Sequence, residues 1–148
     1  MELTAVSLEV ARATDAPLVR GLLATSGLSL EGLSDQFPSA YVVAFARGVV
    51  VGAAGLESYG TVGLLRSVAV TDGLRSRGVG RRLVEDRLAR ARTESLERVF
   101  LLTTTAAPYF ERLGFRRTER ASVPAALAAA PEFAFACPAS AACLVFTL

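Results

Sequence analysis

The sequence predicts an α/β (α+β) fold, a central mixed, mostly antiparallel sheet with helices on both faces. Three observations predict it. Short apolar runs rich in Val, Leu and Phe recur along the 148 residues, as buried strands do. Two of these runs flank Arg47-Gly48, the signature of a tight β-hairpin. Helical periodicity before and after that meander supplies the covering layers.

The elements follow in order. Val6 to Ala13 reads as a first strand. Thr14 then precedes Asp15-Ala16-Pro17, a helix start, and Leu18, Leu22 and Leu23 follow at helical spacing up to Gly27. Leu30 to Gln36 fits a short second helix. Tyr41 to Phe45, Val49 to Leu56 and Val62 to Val70 form a meander of three strands. After a glycine-rich turn, a long amphipathic helix turns Val79, Leu83, Val84, Leu88 and Ala91 inward, with five arginines expected largely outside. Val99 to Thr103 is a strand, and Ala106 to Leu113 a short helix stopped by Gly114. Phe115 to Glu119 and Ala142 to Leu148 are further strands. The expected order is β-α-α-β-β-β-α-β-α-β with the Ala142 to Leu148 strand after it, and the length fits one domain over residues 1–148.

Composition removes whole classes of chemistry. There is no histidine, which excludes a Ser-His-Asp triad, a His-ligated zinc site and a His general base. All 16 basic residues are arginine, so Schiff-base catalysis and a P-loop lysine are excluded too. A net charge of +2 is too small to imply nucleic acid binding. No apolar run reaches the ~18 residues of a membrane span, and Met1-Glu2-Leu3-Thr4 opens no export signal. A cytoplasmic location is expected, with Cys137 and Cys143 as free thiols.

The informative segment runs from Leu65 to Leu83. A strand ends, a turn supplies Arg75-x-x-Gly78-x-Gly80, and a long helix begins inside that turn. Glycines let successive N–H groups converge without Cβ obstruction, and the helix N-terminus adds partial positive charge. Such a nest suits a pyrophosphate, although a mere tight turn would read the same way. The third glycine of a dinucleotide fingerprint is missing.

Leu65-Arg66-Ser67-Val68-Ala69-Val70 followed by Arg75-x-x-Gly78-x-Gly80 resembles the acetyl-CoA motif of the GCN5-related N-acetyltransferases. Phe100-Leu101-Leu102-Thr103 and Tyr109-Phe110-Glu111-Arg112-Leu113-Gly114-Phe115 resemble the fifth strand and closing helix of that fold. The resemblance implies that strands four and five splay apart and that the thioester sits in the gap. It places Val68, Ala69 and Val70 on the pantetheine arm. It places the backbone of Arg75, Ser76, Arg77, Gly78, Val79 and Gly80 on the pyrophosphate, with Arg81 nearby. A closer resemblance is to the N-acetyltransferases of arsenic-resistance operons. It rests on Gly55-Leu56-Glu57-x-Tyr59-Gly60, Gly63 to Val70, Leu101 to Ala106, Glu132-Phe133 and Cys137-Pro138-x-Ser140-Ala141. That resemblance names no substrate by itself; related, better-understood members acetylate the amino group of small amino-acid-like phosphinate or arsinate toxins, which implies an acceptor of that class.

Amide formation needs a group to take the amine proton and another to stabilise the departing thiolate. Glu57 is the candidate base, expected at the end of an inner strand, where it also reads as a solvated glutamate. The family's usual carboxylate region is Leu64-Leu65-Arg66 here, and its frequent tyrosine is Phe110. The phenol stands one step earlier at Tyr109, about 100° around a helix, as candidate acid or packing residue. Thr103, Thr104 and Thr105 fit a thiol contact or a helix cap. Arg66, on an apolar strand beside Ser67, must be paired. Its partner is either Glu57 or an acceptor carboxylate, and Arg66 and Ser67 are the candidate acceptor-binding residues.

Cys137 and Cys143 fit a weak metalloid site or, as free cysteines usually do, small buried hydrophobes; no metal is expected. The leading expectation is acetyl transfer from acetyl-CoA to a small primary amine by direct attack. A non-turning CoA- or metalloid-binding module and a protein acetyltransferase are the alternatives. Expected partners are acetyl-CoA and the amine, without nucleic acid or membrane, and with a homodimer left open.

Overall fold

The computed structural model describes residues 6–28, 37–74, 78–131, 133–134 and 139–148. Seven strands make one sheet: β1 (Val6–Val10), β2 (Tyr41–Ala46), β3 (Val49–Tyr59), β4 (Val62–Val70), β5 (Arg98–Thr103), β6 (Arg116–Thr118) and β7 (Ala142–Thr147). Their spatial order is β1-β2-β3-β4-β5-β7-β6. Every neighbouring pair is antiparallel except β4–β5, which is parallel and joined by helix α2 (Val79–Thr93). The other α-helices among the described residues are α1 (Ala16–Thr25), α3 (Ala107–Arg112) and α4 (Ala125–Ala128).

The helices divide between the two faces as the apolar spacing requires. Leu83, Val84, Leu88 and Ala91 of α2, with Ala107 and Phe110 of α3, pack on Leu56, Leu65, Val70, Val99 and Leu101. On the opposite face, Val19 and Leu23 of α1 cover Tyr41, Val43, Ala53 and Ala69. Leu127 of α4, with Val123 and Phe133, covers Val62, Leu64, Phe100 and Cys143.

The expected hairpin turn is present, with positive φ at both Arg47 and Gly48 as a two-residue turn of this hand demands. Gly114 stops α3 at φ +107°.

Four readings change. The first strand ends at Val10, because the Arg12 N–H donates to Asp15 Oδ2 (2.8 Å) and starts a short 3₁₀ turn into α1. β3 runs three residues further than expected, to Tyr59, so Glu57 lies inside the strand and is only 1% exposed. Arg87 of α2 is buried rather than outward, donating to the Ala40 carbonyl (3.0 Å) and to Asp86. The Ala-rich stretch forms a helical turn, α4, that was not assigned in the expected order. The expected helix over Leu30 to Gln36 lies outside the described residues.

Candidate functional site

β4 and β5 pair over three residues only, Val62–Arg98, Gly63–Val99 and Leu64–Phe100. β4 then continues to Val70 and β5 to Thr103 without further pairing between them, which is the expected splay. Beyond Leu64, the β5-facing edge of β4 carries no strand among the described residues. An extended ligand with amide groups fits such an edge as an added strand.

A bulge lies within that stretch. Gly55 pairs with Arg66 while Ala53 pairs with Ala69, so β4 has one residue more than β3 in the interval. Ser67 absorbs the difference with φ +59°, uncommon for a residue with a side chain.

α2 begins across the gap. Gly78 takes φ +83° at its N-cap, a conformation that favours glycine. The first-turn N–H groups that follow have no intrahelical acceptor by construction. A cavity of about 710 Å³ lies between these elements, lined by Val68, Ala69, Val70, Gly78, Gly80, Arg81, Thr105, Ala106, Tyr109, Phe110, Arg112 and Leu113, with Ser26 and Leu28 at the α1 end. Gly80 is small for a definite reason: a Cβ there would stand 2.7 Å from the Tyr109 hydroxyl. Tyr109 therefore holds its phenol against the first turn of α2. Burial raises its pKa above 10.0, with Arg112 and Arg81 pulling the other way.

The opposite face of β4 is enclosed and polar. Glu57 and Arg66 face one another with Oε2–Nη1 at 3.6 Å, both side chains almost fully buried. Tyr59 donates its hydroxyl proton to Glu57 Oε1 (2.8 Å). Arg66 Nε donates to Ser67 Oγ (3.2 Å), which also hydrogen-bonds the Tyr41 hydroxyl (3.0 Å). The result is a polar row, Tyr59–Glu57–Arg66–Ser67–Tyr41, between the apolar cluster under α1 and the one under α4. A buried ion pair adds little net stability compared with apolar packing, so such a row marks a candidate functional feature.

The structure thus brings together Val68, Ala69, Val70, Gly78, Gly80, Arg81 and Tyr109 at the cleft, with Val79 buried behind the helix start. It brings Glu57, Arg66 and Ser67 together on the other face. Arg75, Ser76, Arg77, Glu132, Cys137 and Pro138 lie outside the described residues. Thr103 Oγ1 accepts from the Ala106 N–H (3.0 Å) in the turn before α3; Ala106 is the N-cap of α3, which has no side-chain cap hydrogen bond, so the expected cap is not formed. Phe110 is core, stacked edge-on against Tyr109 and Phe115. Cys143 is buried, and its thiol is pushed up to about 11 by desolvation. Among the described residues no group of three or more His, Cys, Asp or Glu could hold a metal ion, and no helix is long and apolar enough to cross a membrane.

Sequence reasoning missed Tyr41, Tyr59 and Arg112. Gly55, a glycine inside a strand, was the available signal for Tyr41, because such glycines mark a close approach.

The sequence model of the Acetyltransferase (GNAT) family matches residues 14–115. The chain belongs to the GNAT family. Its fold agrees: an N-acetylglutamate synthase from Neisseria gonorrhoeae, solved with coenzyme A and N-acetyl-glutamate, superposes with a TM-score of 0.84 at 22% identity, over 97% of this chain and 35% of that one. The GNAT protein is also similar to Rv2747 from Mycobacterium tuberculosis, solved in complex with CoA, with a TM-score of 0.81 and 25% identity over 96% of this chain and 99% of that one. An uncharacterized N-acetyltransferase of Chlorobaculum tepidum, CT2212, is 36% identical over 86 residues, 57% of this chain. The chain spans about half (54%) of that relative's length.

Proposed function

We propose that this GNAT protein transfers the acetyl group of acetyl-CoA to the primary amine of a small, amino-acid-like acceptor. The observation that carries the reading is the cleft: a β4 edge unpaired with β5 beyond Leu64, facing a helix start built on Gly78 and Gly80. The edge suits the amide-bearing pantetheine arm, with Val68, Ala69 and Val70 alongside it. The α2 first turn, Gly78 to Gly80 with Arg81, suits the pyrophosphate, and the sequence motif assigns Arg75, Ser76 and Arg77 to the same contact.

In this reading the amine nitrogen attacks the thioester carbonyl carbon, the C–S bond breaks, and the proton lost by the amine balances the one gained by the thiol. Of the three tyrosines, Tyr109 is the one that lines the cleft. Its raised pKa keeps it protonated, so it donates a hydrogen bond on the cofactor side and is the proton source for the departing thiolate. Glu57 takes the amine proton through an intervening water, since its carboxylate is buried and already shared between Arg66 and Tyr59. Arg66 and Ser67 line the acceptor side, where a guanidinium fork matches a carboxylate, phosphinate or arsinate. That preference supports the amino-acid-like class and, more narrowly, its phosphinate and arsinate analogues.

Release of free thiol from acetyl-CoA tests this, with amino acids, their phosphinate and arsinate analogues, polyamines and short peptides as acceptors. Acceptor-dependent release with the zwitterions is expected. Binding of acetyl-CoA without release from any acceptor would replace the enzyme by a CoA-binding module, and release with peptides alone would replace the small acceptor.

A further inference from the structure

We infer that Tyr41, on β2, is a positioning residue for acetyl-CoA: its hydroxyl holds Ser67 in the left-handed conformation that puts the correct face of β4 toward the cleft. The inference rests on the proposed cofactor site and adds a residue two strands removed from β4.

Side chains along a strand point to alternate faces, so adding or removing one residue exchanges the faces of everything beyond it. Before the bulge, Leu65 packs with α2 and α3 while Arg66 lies on the opposite face. After it, Val68 and Val70 pack on the α2 side, and Ala69 packs under α1 beside Tyr41. Simple alternation from Arg66 would do the reverse, sending Ala69 to the α2 side and Val68 and Val70 beneath α1. Ser67, at φ +59°, is the residue that prevents this.

A serine has no intrinsic preference for that conformation. Two hydrogen bonds to its Oγ compensate: one from Arg66 Nε (3.2 Å), its neighbour in sequence, and one shared with Tyr41 OH (3.0 Å), 26 residues away. The second fixes the bulge against a different strand. Its reach depends on Gly55, which lies between β2 and β4 in register with both Tyr41 and Arg66. A Cβ on Gly55 would stand 2.5 Å from Tyr41 Cζ and under 3.0 Å from two more ring carbons. The ring therefore crosses the sheet over a bare backbone, completely buried, with Phe37 against it at 5.2 Å.

The test uses the full chain with Tyr41→Phe, Ser67→Gly and the double variant. Acetyl-CoA affinity is measured by calorimetry, and the backbone conformation of residue 67 by NMR without ligand. Tyr41→Phe is expected to weaken acetyl-CoA binding about tenfold, the scale of one buried hydrogen bond, and to move residue 67 away from positive φ. Glycine adopts positive φ without help, so Tyr41→Phe/Ser67→Gly should regain wild-type affinity. A merely structural tyrosine would not be rescued by a change at residue 67. Affinity of Tyr41→Phe within about twofold of wild type, where a factor of ten is ~1.4 kcal/mol, would overturn the inference. So would a double variant that stays weak. Should the wild type fail to bind acetyl-CoA, the cofactor reading falls, while an unchanged φ at residue 67 in Tyr41→Phe would separately overturn the role of Tyr41.

Discussion

On the α2 side of β4, the cleft is lined by the open strand edge, the first turn of a helix and side chains of α3, with Gly80 where a Cβ would meet Tyr109 and Gly78 at φ +83°. On the other side of the same strand, the polar groups are side chains: Glu57, Arg66, Ser67, Tyr41 and Tyr59, enclosed between two apolar clusters. The difference teaches how each side can be damaged. A backbone site fails by obstruction and leaves the fold intact. A buried side-chain row fails by losing charge balance, and the fold suffers with it.

Breaking the ion pair gives the largest expected effect. Glu57→Leu leaves the Arg66 guanidinium buried without its carboxylate, a loss of ~3–5 kcal/mol for one-sided removal. Glu57→Leu with Arg66→Met should recover most of it, because apolar packing replaces a balanced pair at little cost. Denaturant midpoints of the two single variants and the double variant check this; a double variant as unstable as Glu57→Leu would show that the pair does not act as a unit.

The cleft should respond in the opposite way. Gly80→Asp sets a carboxylate against the first turn of α2, where it competes with a bound anion. A loss of acetyl-CoA affinity of about tenfold or more is expected, ~1.4 kcal/mol. The clash partner is the far end of the Tyr109 side chain, which can swing aside, so the melting temperature should barely move. Calorimetry and thermal melting on the same sample compare the two sides of β4 directly. A large drop in melting temperature with unchanged affinity would erase the contrast.

A smaller effect concerns Cys143, in the cluster beneath α4 that borders the polar row. Burial holds its thiol pKa in the folded protein at about 11, against an ordinary 9.0. The folded state therefore keeps its proton over a range where the unfolded chain loses it. Stability from this group is fully present below pH 9 and is lost as pH rises towards 11. Cys143→Ala should lower stability at neutral pH through lost packing and flatten the decline between pH 9 and 11. Melting curves at both pH values measure the slope, and equal slopes would remove the thiol from the account.

The smallest effect lies on the surface, where Glu94 joins the end of α2 to β3. Its carboxylate is held below 4.5, chiefly by the hydrogen bond from Arg90, with Ser58 donating to the other oxygen (3.1 Å). Its contribution is present above the ordinary carboxylate pKa and is lost as pH falls through the lowered value. Glu94→Gln should cost only ~0.5 kcal/mol at pH 7, as exposed helix pairs do. That difference should shrink towards pH 3, as acid melting curves would show.

The strands and the cleft were legible in the chain because their signals are local. Val62 to Val70 is a strand at the predicted bounds, and Gly78 and Gly80 announced a helix start with close backbone approach. The polar row was only half legible. Arg66 required a partner on desolvation grounds alone, and Glu57 was one of two open choices; tertiary packing brought the two within 3.6 Å. Glu57 itself looked like a strand-end residue because the apolar run stops at Leu56, yet β3 continues to Tyr59 through its pairing with β4. Pairing partners extend a strand beyond what its own composition suggests.

By itself, then, the sequence determined the alternation of strands and helices, the hairpin at Arg47-Gly48, the α2 start and the exclusion of histidine and lysine chemistry. These depend on residue type and on neighbours a few positions away. Only the tertiary structure decided the side-chain faces after Ser67, the burial of Arg87 and the meeting of Tyr41 with Ser67 across Gly55. The physical reason is that each depends on register between strands. Register is set by how two apolar faces are covered at once, and no single segment carries that information.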